Sequence, residues 1–310
     1  MSQRIAVIGS NMFDLVTYTD RMPRKGETIE APAFSMGFGG KGSNQAVAAA
    51  RLGADVMMLG KIGDDLFGPK TLQNYLDNGI DARYVDVVPG ASSGVAPIFV
   101  DSEAENCIFI IKGANAQLMP NDVDKAAEDL KQCKLIVLQL EIPLKTVYYA
   151  IEFGARHGIE TLLNPAPAAL DLDLSKCLKA SFLVPNETEL ATLTWMPTDN
   201  RQQVVAAAQS LIAKGIKTVV VTMGKNGSML VTADRIEHIP ALGGIQPLDT
   251  TGAGDAFIGS FAHGYVASGD LVSSLRRATL YAADSVTRQG AQKSYATSEE
   301  FDAFCKTHGV

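Results

Sequence analysis

The sequence predicts an α/β protein: a doubly wound, mainly parallel sheet with helices on both faces, plus a small β-sheet lid. Three observations carry this. Short β-rich runs alternate with helical patterns along most of the chain. These runs are apolar throughout, as in strands covered on both faces. Two stretches, about 14–38 and 82–112, hold short β-branched runs with no helix between them and read as hairpins.

The elements follow in order. IAVIG (5–9) is the first strand. SNQAVAAARL (43–52) is Ala-rich and helical, and Gly53 stops it. DVMMLG (55–60) is a strand, and residues 66–78 form a helix ending at Gly79. KLIVLQL (134–140) is a strand. PLKTVYYAIEFGARHG (143–158) has Pro near its first helical position and Gly at its end. TLLN (161–164), FLVPN (182–186) and TVVVTMG (218–224) are further strands with helices between them. Residues 253–268, 270–288 and 297–307 are helical. All 310 residues form one domain, with a lid made of the two insertions and placed to cover a ligand at the sheet's edge.

Charge and composition exclude several functions. Lys and Arg number 27 and Asp and Glu 34, a net charge of −7, which argues against a nucleic-acid surface. No apolar stretch reaches the ~20 residues of a membrane span. The start MSQRIAVIGSNMFD has neither an apolar h-region nor a cleavage site. Cys107, Cys133, Cys177 and Cys305 lie far apart, as expected of reduced thiols in a cytoplasmic protein. The four histidines are isolated, with no pattern for a transition metal.

Four motifs carry chemistry. GFGGKG (37–42) fits GxGxxG, but APAFSM rather than a buried strand precedes it, against a dinucleotide fingerprint. It reads as a tight turn delivering Lys41 and Asn44 to a site at a helix start, or as a turn alone. In DTTGAGD (249–255), Gly252, Ala253 and Gly254 lead into a helix whose first amides form an anion hole. Asp255, in the first turn, either takes a proton from an attacking hydroxyl or caps the helix. TMGKNG (222–227) is a nucleotide-phosphate loop or a hairpin turn. In NETE (186–189), Asn186 and Glu189 share a helix face; they hold Mg²⁺ through water or form a cap. RQGAQKS (288–294) adds turn carbonyls and a serine.

GGKGSNQAVAAARLG (39–53), NPAPA (164–168), PNETE (185–189), TMGKNG, DTTGAGDAF (249–257) and TRQGAQKS (287–294) resemble the ribokinase-type carbohydrate kinases, in that family's order and over nearly the whole chain. The resemblance implies a ribokinase-like fold with the lid as a homodimer interface. It also implies ATP- and Mg²⁺-dependent phosphorylation of a sugar's primary hydroxyl. On it, Asp14, Gly40, Lys41, Asn44 and Glu141 correspond to sugar contacts, Asp255 to the catalytic base, and Gly252, Ala253 and Gly254 to the anion hole. Asn186, Thr222, Gly224, Gly227, Gly254 and Thr279 correspond to ATP contacts, and Glu189 to the Mg²⁺-linked position. Asp249, Thr251, Ser285, Arg288, Gly290 and Ser294 correspond to a loop that holds a monovalent cation, K⁺, and orders the anion hole.

One position departs from the family. Ribokinases typically read GSxNxD after the first strand, with the Asn contacting the sugar. Here the string is GSNMFD (9–14), so Met12 stands there and Asn11 is displaced by one residue. In an extended segment Asn11 points to the opposite face. A thioether does not satisfy a sugar hydroxyl; it favours a methylene, as in 2-deoxy-D-ribose. The expected reaction is phosphorylation of 2-deoxy-D-ribose at O5. D-ribose is the alternative substrate, and a non-catalytic sugar-binding regulator is the alternative from another class. Loss of the base would mark that regulator, and Asp255 is intact.

Overall fold

The computed structural model describes residues 3–102 and 106–310. Its strands are β1 (Ile5–Ile8), β2 (Met12–Tyr18), β3 (Ala33–Gly39), β4 (Val56–Gly63), β5 (Asp81–Val88), β6 (Val95–Val100), β7 (Asn106–Ile108), β8 (Leu135–Leu138), β9 (Glu160–Leu163), β10 (Phe182–Leu183), β11 (Val219–Thr222), β12 (Ser228–Val231) and β13 (Ile236–Ile239). Its α-helices are α1 (Lys41–Arg51), α2 (Gly68–Asp77), α3 (Pro120–Lys125), α4 (Ala127–Leu130), α5 (Leu144–His157), α6 (Glu187–Thr194), α7 (Arg201–Ala213), α8 (Ala253–Ser268), α9 (Leu271–Ser285) and α10 (Ser298–His308). Among the described residues no helix is long and apolar enough to cross a membrane.

The large sheet runs β13-β12-β11-β10-β9-β8-β1-β4-β5. From β11 to β5 all neighbours are parallel, and β12 and β13 add an antiparallel edge. The apolar runs form buried strands because both faces carry a core. Side chains alternate across a strand. Ile5 and Val7 therefore join Val47, Met58, Phe257 and Phe261 on one face, while Ala6 and Ile8 join Met57, Ile136, Val147 and Leu183 on the other. β1 lies between β4 and β8, so the chain leaves it to opposite sides. At such a switch point the crevice outside the strands' C-terminal ends is open to a ligand. Ser10 follows β1 there, and Gln139 and Glu141 follow β8.

A second sheet, β3-β2-β6-β7, forms the lid. Its second stretch is shorter than the expected 82–112. Asp81–Val88 pairs in parallel with β4 and closes the large sheet, so the lid resumes only at Val95. DARYVDVV alternates because it is an edge strand, half covered and half exposed. Residues 103–105 of that stretch lie outside the described residues. The first stretch enters the lid at Met12. Asn115 ties the lid's base: its Oδ1 accepts from Asn11 N at 3.0 Å, and its Nδ2 donates to Asn11 O at 2.7 Å.

One close approach aligns the site. α8 crosses α1 at Gly259, where a Cβ would meet Ala48 Cβ at 2.6 Å and Gln45 O at 2.7 Å. The bare α-carbon lets the two helices touch, one turn from Asp255.

Candidate active site

Two helices start at the crevice. α8 begins behind Gly252, whose φ of 76° places it in the left-handed region. A Cβ there would lie 2.6 Å from Tyr295 Oη, and that hydroxyl donates to Gly252 O at 3.0 Å. No side chain caps α8, whereas Asn186, Asp270 and Thr297 cap α6, α9 and α10. Ala253 N turns to Thr250 O at 3.2 Å, and the next first-turn amides of α8, those of Gly254 and Asp255, have neither an intrahelical acceptor nor a cap. A Cβ on Gly254 would meet nothing within 4 Å, so space lies open before these donors. This donor set fits a transferring phosphoryl group. α1 starts likewise at Lys41, behind Gly40 and without a side-chain cap.

Asp255 is 7% exposed, and its carboxylate does not turn back to cap its own helix. It faces α1: Asn44 Nδ2 donates to Oδ2 and Gln45 Nε2 to Oδ1, each at 2.9 Å. Asn44 Oδ1 in turn accepts from Gln292 Nε2 at 3.0 Å. A carboxylate held in this way beside an anion site is placed to accept a hydroxyl proton.

Other charges gather around it. Glu141 Oε2 accepts from Ser10 Oγ at 2.5 Å and from Lys41 N at 2.9 Å, which joins the ends of β1 and β8 to α1. Asp14, on β2, is pushed up to about 7 by burial and by the nearby Glu141 and Asp255 carboxylates. Burial alone would lower Lys41, but Asp255, Glu141 and Glu189 outweigh it and hold the ammonium above its usual range.

Asp14 makes stability depend on pH. Its folded pKa lies above its unfolded value, so it destabilises the fold progressively as pH rises towards about 7. Asp14→Asn is therefore expected to gain stability over the parent from pH 5 to pH 8, by roughly 2 kcal/mol on the scale of 1.36 kcal/mol per pKa unit. Thermal melts across that range measure it; a difference flat in pH would remove the argument.

Apart from Gly254 in α8, the expected nucleotide positions lie around the β11–β12 hairpin. Asn186 and Thr222 form a parallel bridge between the ends of β10 and β11. TMGKNG is the turn of the antiparallel β11–β12 hairpin, with Gly224 and Gly227 in it. Thr279 Oγ1 lies 3.5 Å from Ser228 Oγ at the base of that hairpin. Asn186 and Glu189 form a capping box, Asn186 Oδ1 accepting from Glu189 N and Glu189 Oε2 from Asn186 N. Glu189 is nonetheless 7% exposed and senses both Lys41 and Asp255, so it faces the same crevice; burial raises its pKa.

The cation-loop positions also converge. Asp249 Oδ1 accepts from Thr251 N at 2.9 Å and Oδ2 from Gly290 N at 2.8 Å. These bonds overcome burial and lower its pKa. Ser285 and Ser294 turn their hydroxyls onto Ala282 O and Ala291 O. Arg288 binds Ser294 O and Asp284. Arg288 also reaches both serine carbonyls, through its Nε to Ser294 O and its backbone N to Ser285 O at 3.2 Å.

A family model described as pfkB family carbohydrate kinase matches residues 2–298. The chain belongs to the pfkB carbohydrate kinases. A deoxyribokinase of Salmonella typhi is 57% identical over 300 residues, 97% of this chain and 98% of the relative. A ribokinase of Mus musculus is 39% identical over 295 residues, 94% of this chain and 91% of the relative. The structure of Arabidopsis thaliana ribokinase complexed with ribose and ATP superposes with a TM-score of 0.92 at 30% identity, covering 99% of each chain.

The sequence motifs of this pfkB kinase do not contain its whole site. Ser10 and Gln45 touch the predicted residues Glu141 and Asp255, and Gln139 and Asn164 touch Gln45; the motifs assign a role to none of the four. Gln45 alone left a signal: it is a polar side chain, 1% exposed, on the buried side of an Ala-rich helix.

Proposed function

We propose that this carbohydrate kinase phosphorylates 2-deoxy-D-ribose at O5 with ATP. Met12 carries the sugar assignment. It is 3% exposed and two residues from Asp14, so the two share one face of β2. Asn11, one residue out of step with Asp14, points the other way, and its Nδ2 donates to Lys61 O at 3.0 Å. The 57% identity to deoxyribokinase supports the same choice.

The residues then divide the work. Asp14, Gly40, Lys41, Asn44 and Glu141 bind and orient the sugar below the lid. Asp255 takes the O5 proton as O5 attacks the γ-phosphorus in line. The amides after Gly252 and the Lys41 ammonium face the negative charge that develops. Asn186, Thr222, Gly224, Gly227 and Thr279 hold the nucleotide. Glu189 would hold Mg²⁺ through water, since its Oε2 already accepts from the backbone; bound there, the ion neutralises phosphate charge. A monovalent cation fits carbonyls of the segments that Asp249 fastens together, where it would steady the loop before α8.

The lid is proposed as the homodimer interface. Tyr18, Phe34, Met36, Ile108 and Phe109 are 39–61% exposed on or beside its sheet. Sedimentation at monomer mass would count against this.

The purified chain, given ATP and Mg²⁺, is expected to favour 2-deoxyribose over ribose by ~10–100-fold in kcat/KM. The product should be an acid-stable 5-phosphate rather than an acid-labile 1-phosphate. A preference for ribose overturns the sugar assignment and leaves the kinase.

A further inference from the structure

Behind the proton acceptor stands a second carboxamide. Gln45 Nε2 donates to Asp255 Oδ1 at 2.9 Å and also reaches Asn164 Oδ1 at 3.2 Å. Gln45 Oε1 accepts from Gln139 Nε2 at 2.7 Å. Gln45 is 1% exposed and Gln139 0%. A buried carboxamide can flip, which would present its oxygen to the carboxylate. A flip would set that oxygen against Asn164 Oδ1, which the Asn164 Nδ2 bond to Val184 O holds in place. It would also take the acceptor from the Gln139 N–H group, so the Gln45 N–H groups stay on Asp255 and Asn164.

We infer that Gln45, oriented by Asn164 and Gln139, is a positioning residue for Asp255: it fixes Oδ1. This deepens the reading of Asp255 as the proton acceptor and rests on it. The two carboxylate oxygens are held differently. Oδ2 is held by Asn44, a predicted sugar contact, so its bond can change when sugar arrives. Oδ1 is held from the buried side by groups the sugar does not reach. Gln45 therefore keeps the carboxylate plane still while Oδ2 exchanges partners. A hydrogen bond to the charged form of a carboxylate favours that form. The other ionisable groups that feel this carboxylate are Asp14 from β2, Lys41 from α1, Glu189 from α6 and Tyr295 after the 288–294 turn, and Glu141 after β8 faces Asp14 and Lys41.

Gln45→Met keeps the bulk and removes the donor. Its kcat is expected to fall roughly 10- to 100-fold, the loss of one hydrogen bond to a charged group. The sugar KM should stay within about twofold, and the acidic limb of the kcat/KM profile should move to higher pH. Gln139→Leu releases Gln45 without touching Asp255, and should show the same shifts at smaller size. Thermal melts establish that each variant is folded; if Gln45→Met is not, Gln139→Leu decides. Parental kcat with an unmoved acidic limb overturns the inference. So does a fall in kcat with an unmoved limb, which marks a merely structural loss. Asp255→Asn separates the two readings. If it is inactive while Gln45→Met is normal, only this inference fails; if it is itself near normal, the reading of Asp255 fails as well.

Discussion

Asp255→Asn is expected to lower kcat by roughly 10³-fold while sugar affinity changes little, the size of effect seen when a positioned general base is lost. The geometry explains why. Asp255 receives N–H groups from both Asn44 and Gln45. It stands at the start of a helix that no side chain caps. The acceptor is thus next to the donors that would face the γ-phosphoryl group, so on the proposed reading deprotonation of O5 and stabilisation of phosphate charge would share one helical turn. An asparagine carries one oxygen. Its NH₂ would face the N–H of either Asn44 or Gln45, so a modest fall in melting temperature is expected as well. Steady-state kinetics with titration calorimetry of the sugar separates the two effects. Near-normal kcat would sink the assignment of the base; a loss confined to KM would recast Asp255 as a binding group.

The surroundings bear on this. Asp14, Glu141 and Asp255 bring three carboxyl groups into one buried crevice, with Lys41 facing them. Asp14 shows the resulting strain, at about 7. Sugar hydroxyls are neutral donors and can satisfy such acceptors without adding charge. The ATP phosphates are anions and must meet amides and cations instead. Two of the acids, Asp14 on β2 and Glu141 after β8, stand on the lid side, while Asp255 shares the start of α8 with the uncapped amides.

Much of the fold was legible because its strands are short and apolar throughout. IAVI and LIVL can hardly be anything but buried strands flanked by helices. Asp81–Val88 was placed in the lid because an edge strand alternates much as a hairpin does, and only its pairing with β4 distinguishes them. The candidate base was legible because glycines and an acid at a helix start form a local pattern. The groups that hold it were not. Gln45 lies 210 residues from Asp255 and 94 from Gln139, and Gln292 lies 248 from Asn44. A neutral carboxamide leaves neither a charge pattern nor a fixed spacing when its partners come from different elements. TMGKNG had two local readings, hairpin turn and nucleotide loop. The structure makes it the turn of the β11–β12 hairpin, with its first residue, Thr222, bridged to Asn186; a turn in that place is compatible with the proposed nucleotide contact.

Met12→Asn is expected to shift the ratio of kcat/KM for ribose over 2-deoxyribose by roughly 100-fold in favour of ribose. The argument has two halves. In the parent, the 2-hydroxyl of ribose meets a thioether and loses its hydrogen bond to water, which costs roughly 1–3 kcal/mol. In the variant, an amide on the Asp14 face of β2 can pair with that hydroxyl, and 2-deoxyribose would leave the amide unpaired at similar cost. The backbone should tolerate the change. Residue 12 opens β2 opposite Gly39, and the preceding residue is pinned by Asn115. A cost in the free protein follows from the same reasoning, because a buried amide without a partner is destabilising. The variant should therefore melt below the parent, and ribose should raise its melting temperature more than 2-deoxyribose does, since a ligand stabilises in proportion to its affinity. Asn11 offers no shortcut to this result: its side chain lies on the far face, where its Nδ2 donates to Lys61 O. If the ratio is unchanged in Met12→Asn while both activities persist, the sugar is read elsewhere in the crevice, and Asp14, Lys41 and Glu141 become the residues to vary.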